Sequence, residues 1–131
     1  MKKYRELTVE DYETALPTLS DEELLFLKIM YKFPLHTAPA KEIAEKMGRS
    51  SYQYANSMVA AIGEKFSLSS GVDHPNYKED ICPSGTYEGP AYFMFIGPYY
   101  KNEKGKKRSS KKGWEMKDEL CEALRRLGNV D

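Results

Sequence analysis

The chain is poor in cysteine, histidine and tryptophan, with two, two and one in 131 residues. Cys82 and Cys121 are too few and too far apart for the disulfide framework of a small secreted domain. Both read as free thiols of a reducing compartment, which sets the expectation of a cytoplasmic chain. His74, Cys82 and Cys121 can be weighed as zinc ligands, but no Cys-x-x-Cys or His-x-x-x-His pair supports them. The expectation is no metal and no cofactor. A Cys–His nucleophile pair has no further support, and no glycine-rich phosphate loop is present. No apolar run approaches the ~20 residues of a membrane span. Met1-Lys2-Lys3-Tyr4-Arg5-Glu6 lacks the apolar stretch of a signal peptide. What remains is a composition ordinary for a soluble domain, long enough for a single unit with a real core, read as one domain over 1–131. Ten tyrosines are many for this length and suit half-buried positions and interfaces.

The formal net charge is zero, yet the charge is strongly polarised. Lys101, Lys104, Lys106, Lys107, Arg108, Lys111 and Lys112 fall in twelve residues opposed only by Glu103. That segment carries +6, and the rest of the chain carries −6. It follows Pro98-Tyr99-Tyr100 and precedes Gly113-Trp114, which suggests a basic hairpin tip, a wing, over about 101–112. Phosphate is the commonest partner of such a feature, because each neutralised phosphate releases a condensed counterion. A solvated loop is the plainer alternative.

Helical patterning dominates the first half. Residues 8–18 hold a short pattern with Val9, Tyr12 and Leu16 on one side, closed by Pro17. Ser20-Asp21-Glu22-Glu23 is a capping box, and the apolar helix behind it should stop near Phe33-Pro34. A further helix opens near Thr37 and Pro39, with Ala40, Ile43, Ala44 and Met47 at helical spacing and Gly48 as its stop. Ser50 or Ser51 caps the next, whose inner face is Ala55, Val59, Ile62 and Phe66. Gly63 weakens the prediction for its last turn. From Ser67 to Pro90 periodicity disappears, predicting a loop that is functional or mobile. Ala91–Ile96 is the best strand candidate, with a partner strand including Gly113–Met116. A last helix carries Leu120, Ala123, Leu124 and Leu127 and stops at Gly128.

Three helices, a loop and a basic hairpin predict an α+β fold: a helix-turn-helix core with a β-hairpin wing, winged-helix-like, and a C-terminal helix. A helix pair used only for core packing is the alternative. In the winged reading the helix after Ser50 would lie in the major groove. Its polar outer residues Ser51, Gln53, Asn56 and Ser57 are the candidate base readers, since Asn and Gln can bond adenine in a bidentate manner. Local capping explains the same residue types without any ligand. Arg49 and the basic segment residues Lys104, Lys106, Lys107, Arg108, Lys111 and Lys112 are the candidate phosphate contacts, with Lys41, Lys46 and Lys65 as additions.

Two patches carry a family resemblance. The first is Thr37-Ala38-Pro39-Ala40-Lys41-Glu42-Ile43-Ala44-Glu45-Lys46-Met47-Gly48, followed by Ser50-Ser51-Tyr52, Asn56 and Ile62-Gly63. The second is Gly113-Trp114-Glu115-Met116-Lys117-Asp118-Glu119-Leu120-Cys121-Glu122-Ala123-Leu124. Together, in this order, they resemble a module beside the nuclease domain of bacterial McrA-like HNH restriction endonucleases. The resemblance implies DNA binding in a restriction or defence setting, with Asn56 and its neighbours carried over. It departs from the nuclease itself: His36 and His74 do not form a His-Asn-His arrangement, and such an enzyme needs histidines to activate water and hold a divalent metal.

The sequence therefore points to a non-catalytic double-stranded DNA-binding protein, prokaryotic or phage, in a restriction, defence or regulatory setting. A nuclease or other protein subunit is a second candidate partner, and no membrane is involved. The competing class is a protein-binding regulator or inhibitor of a nucleic-acid enzyme, because Glu10-Asp11-Glu13 and Asp21-Glu22-Glu23 would repel DNA if they faced it. A metal-dependent nuclease built on Glu115-Met116-Lys117 with Asp73 or Asp80 is a third, weaker class.

Overall fold

Helix starts and stops are written locally in this chain. In the computed structural model, residues 5–74, 89–96, 99–101, 107–109 and 113–130 are described. Thr8 caps α1 (Val9–Ala15) in a reciprocal box with Asp11, and Pro17 sits in the short 3-10 turn that follows. Ser20 does the same for α2 (Asp21–Lys32): its hydroxyl accepts from the Glu23 N–H at 3.1 Å, and the Glu23 carboxylate accepts from the Ser20 N–H at 2.8 Å. α2 ends at Phe33 before Pro34, as predicted.

The helix expected to open near Thr37 and Pro39 does so at Ala40. Thr37–Ala38 is instead a two-residue strand, β1, and α3 (Ala40–Lys46) starts behind Pro39. At its end the Gly48 N–H donates to the Glu45 carbonyl and the Arg49 N–H to the Ala44 carbonyl, with Gly48 at φ 78°. That double bond is a Schellman stop, and its left-handed residue suits glycine. The chain then turns directly into α4 (Tyr52–Ser70), capped by Ser51, whose hydroxyl accepts from the Gln53 N–H.

α4 is longer than its sequence pattern. The loop expected from Ser67 begins only after Gly71, and 75–88 lie outside the described residues. Gly63 does not loosen the helix. A Cβ there would lie 2.4 Å from the Pro90 Cβ and 2.5 Å from its carbonyl oxygen, so the glycine admits a neighbouring backbone. That neighbour belongs to a 3-10 turn over Gly89–Phe93, which replaces the first half of the expected strand. Tyr92, Phe93, Met94 and Phe95 are all buried. A continuous apolar run fits a strand buried on both faces and a buried helical turn equally well, so the sequence pattern alone does not separate the two.

Only Phe95–Ile96 forms β2. β3 (Tyr99–Lys101), at the entry to the basic segment, pairs antiparallel with β4 (Lys107–Ser109) inside it, with Tyr100 opposite Arg108. The chain returns as β5 (Trp114–Met116), which pairs antiparallel with both β1 and β2, so the small sheet has the order β1-β5-β2. Phe95 and Trp114 stack across it at 4.9 Å and 6°. α5 (Asp118–Arg126) closes the chain at Gly128 as expected, although Leu127 stays 41% exposed rather than joining the inner face.

The core lies between α1, α2, α4, α5 and the 3-10 turn. Tyr12 meets Phe66 edge to face at 5.3 Å, and its hydroxyl donates to the Phe93 carbonyl at 2.5 Å. Burial pushes the Tyr12 phenol well above its ordinary pKa, so it remains a donor. The predicted inner face of α4, Ala55, Val59, Ile62 and Phe66, is buried, and Met58 joins it. The result is an α+β fold with five α-helices among the described residues.

Candidate nucleic-acid interface

α4 presents one face to the core and an opposite one to solvent. Gln53, Asn56, Ser57, Ala60, Ala61 and Glu64 are all exposed. At 3.6 residues per turn they form one stripe. Over its first three turns this stripe carries no charge, only amide, hydroxyl and methyl groups. Its single charge, Glu64, lies 3.0 Å from His74 Nε2. Small neutral side chains allow close approach of another molecule, and the two amides supply paired donors and acceptors.

Asn56 is seven residues from Gly63, so both occupy the same flank of α4. Gly63 is where the 3-10 turn bears on the helix. That turn leads through β2 to the basic arm. Asn56 therefore lies on the flank of α4 against which the 3-10 turn packs. The arm's ladder sets Lys101 opposite Lys107 and Tyr100 opposite Arg108. Of the expected phosphate contacts, Lys107 and Arg108 fall on β4, whereas Lys104, Lys106, Lys111 and Lys112 lie outside the described residues.

The remaining expected contacts divide. Ser51 is half-buried and serves as the helix cap, its hydroxyl accepting from the Gln53 N–H. Arg49 is not a free cation. Its guanidinium lies 3.7 Å from Glu22 Oε1 and 5.0 Å from the centre of the Tyr54 ring, and the Tyr54 hydroxyl donates to the same Glu22 oxygen at 2.5 Å. Burial and then that carboxylate push the Tyr54 phenol above its ordinary pKa. Lys65, expected as an additional contact, is bound to Glu23 at 2.5 Å. Burial alone would push Glu23 up, but hydrogen bonds from Lys65 and the Ser20 backbone outweigh it and hold the carboxyl below its usual range. Lys41 and Lys46 on α3 are exposed.

The two acidic clusters have different surroundings. Glu10 and Glu13 of α1 lie 3.7 and 3.2 Å from Arg126, and Asp11 lies 2.9 Å from Arg5. Glu22 instead stands beside the first turn of α4, where Tyr54 holds it.

The chemistry-bearing residues weighed for other functions are also placed. Glu115 is on β5, and Lys117 is buried, 2.6 Å from Glu6 and 4.1 Å above the Tyr92 ring. Burial lowers the Lys117 pKa, and Glu6 opposes that shift. Cys121 is buried on the inner face of α5, and burial pushes its thiol up to about 12. Cys82 and Asp80 lie outside the described residues. No helix among the described residues is long and apolar enough to cross a membrane.

Compared with family models, curated proteins and solved structures, the chain matches none.

Proposed function

We propose that this chain binds double-stranded DNA without catalysing a reaction on it, as a winged-helix-like module. The observation that carries the reading is the neutral, amide-bearing stripe of α4, flanked on its Asn56 side by the turn that leads to the basic arm. An α-helix fits the major groove of B-DNA, and its exposed amides reach base edges there. The strand order supports the winged reading. β1 lies between α2 and α3 in the chain and pairs with the last strand, β5, which also pairs with β2.

In this mechanism the N-terminal half of α4 enters the groove. Gln53 and Asn56 read base edges, Ser57 contributes a hydroxyl, and Ala60 keeps the approach close. Lys104, Lys106, Lys107, Arg108, Lys111 and Lys112 contact phosphates from the arm. Arg49 would contribute only by exchanging Glu22 for a phosphate. The resemblance of 37–63 and 113–124 to the module of McrA-like HNH restriction endonucleases supports a restriction, defence or regulatory setting in a prokaryote or phage, in which a nuclease subunit is a candidate partner.

The test is to select a preferred duplex and compare variants on it and on random duplex. Asn56→Ala should weaken the preferred duplex by ~1–3 kcal/mol and leave random duplex unchanged, whereas Lys107→Ser with Arg108→Ser should weaken both alike. Equal loss on every sequence for Asn56→Ala would remove the base-reading role. One observation favours the second reading, a protein-binding regulator. Glu22 places a carboxylate beside the first turn of α4, where it would repel phosphate.

A further inference from the structure

A second surface, built from other elements, lies on the outer side of the C-terminal half of α2. There the C-terminal segment, the turn after α2 and the end of α3 enclose two adjoining grooves, with cavity volumes of about 600 and 320 Å³. They share Ile29, Lys32 and Phe33, and Leu25 and Val130 extend the apolar wall. Leu25 is 48% exposed. Among the described residues, Lys28, Lys32 and Lys46 line the grooves, no carboxylate does, and none of the three lysines has an ion pair.

The backbone beside the groove is held in an uncommon shape. Leu35 and His36 are successive non-glycine residues at φ 56° and 53°, in the left-handed region. Tyr31 fixes this turn. Its ring stacks on His36 at 4.2 Å, and its carbonyl oxygen lies 2.6 Å from His36 Nδ1. Leu35 is left 80% exposed next to Pro34 and His36, both of which line the grooves. Strained residues persist where surrounding structure over-determines them, and they concentrate at binding surfaces.

We infer that this groove docks a short amphipathic segment of a partner protein, with apolar anchors along one face and carboxylates along the other. Apolar anchors fill the wall formed by Leu25, Ile29, Phe33 and Val130. The carboxylates meet Lys28, Lys32 and Lys46. Leu35 covers the docked segment from the side. Such helix-in-groove binding places anchors at helical spacing, and charge complementarity selects the acidic partner. The groove shares no residue with the exposed stripe of α4; Lys46, which lines it, is the one residue also expected as a phosphate contact.

The probe is a labelled peptide of about four helical turns, with leucine along one face and glutamate along the other. Binding is read by fluorescence anisotropy and mapped by backbone amide shifts on the full chain. The expected shifts fall at 25–36 and 125–130. Affinity should drop about tenfold or more with Lys28→Glu, Lys32→Glu and Lys46→Glu together, and less with the corresponding glutamines. A peptide with serine for leucine, or lysine for glutamate, should not bind. Absence of binding overturns the inference, as do shifts confined to the basic arm. So does self-association of the chain that the same charge reversals abolish, because the occupant would then be a second copy.

Discussion

Pro90 bears directly on Gly63: a Cβ added to that glycine would sit 2.4 Å from the proline Cβ and 2.7 Å from its carbonyl carbon. This close approach fixes the 3-10 turn against α4 and thereby sets where β2 begins. Gly63→Ala should gain up to ~1 kcal/mol of helix propensity. It should lose more than that to overpacking against a backbone that cannot yield, for a net destabilisation of about 1–2 kcal/mol. Urea unfolding checks this, and a more stable variant would contradict the close approach.

Leu35 should respond in the opposite direction. It is 80% exposed, so replacing it removes little buried surface, and its φ of 56° suits asparagine better than leucine. Leu35→Asn is expected to raise stability by about 0.5–1 kcal/mol, read as a higher urea midpoint with an unchanged slope. A lower midpoint would mean that leucine does not occupy the left-handed region.

Acid stability follows from Glu23. Its folded pKa is depressed below the ordinary value of 4.5, because the bonds from Lys65 and Ser20 outweigh burial. The stabilisation is fully present above that ordinary value and is lost as pH falls through the lower, folded one. Asp11, held down by Arg5 and Thr8 against burial, adds to the same trend. In Lys65→Met the melting temperature should be lower at neutral pH and should fall less steeply between pH 5 and 2 than in the parent. Parallel curves would show that the Lys65–Glu23 pair is not made in solution.

Cys121 should be chemically silent. Its side chain is buried and its thiol is pushed up to about 12, so almost no thiolate exists at neutral pH. In a Cys82→Ser background, a thiol reagent should label nothing in the native protein and one thiol after unfolding. Rapid native labelling would contradict the packing of α5.

What is legible in the sequence is local in origin. Ser20 with Glu23, and Gly48 after Met47, each settle a helix end through bonds within five residues, so residue pattern alone reveals them. β1 is invisible to pattern because Thr37 and Ala38 form a strand only by pairing with Glu115 and Trp114. Gly63 resembles a weak point because Pro90 is distant in sequence. The candidate interface divides in the same way. Gln53, Asn56 and Ser57 are readable as one outer face from helical period alone. Arg49 and Lys65 look like free cations in the sequence because Glu22 and Glu23, which engage them, come from another helix.

The most direct measurement is duplex binding titrated with salt, comparing the parent chain with a variant in which Lys106, Lys107 and Arg108 are serine. DNA binding through the arm predicts measurable affinity at low salt and a steep linear fall of log K with log salt. In the variant the affinity should be weaker, and the slope shallower by about 2–3, close to 0.9 for each phosphate no longer neutralised. No binding at low salt, or an unchanged slope in the variant, would contradict it.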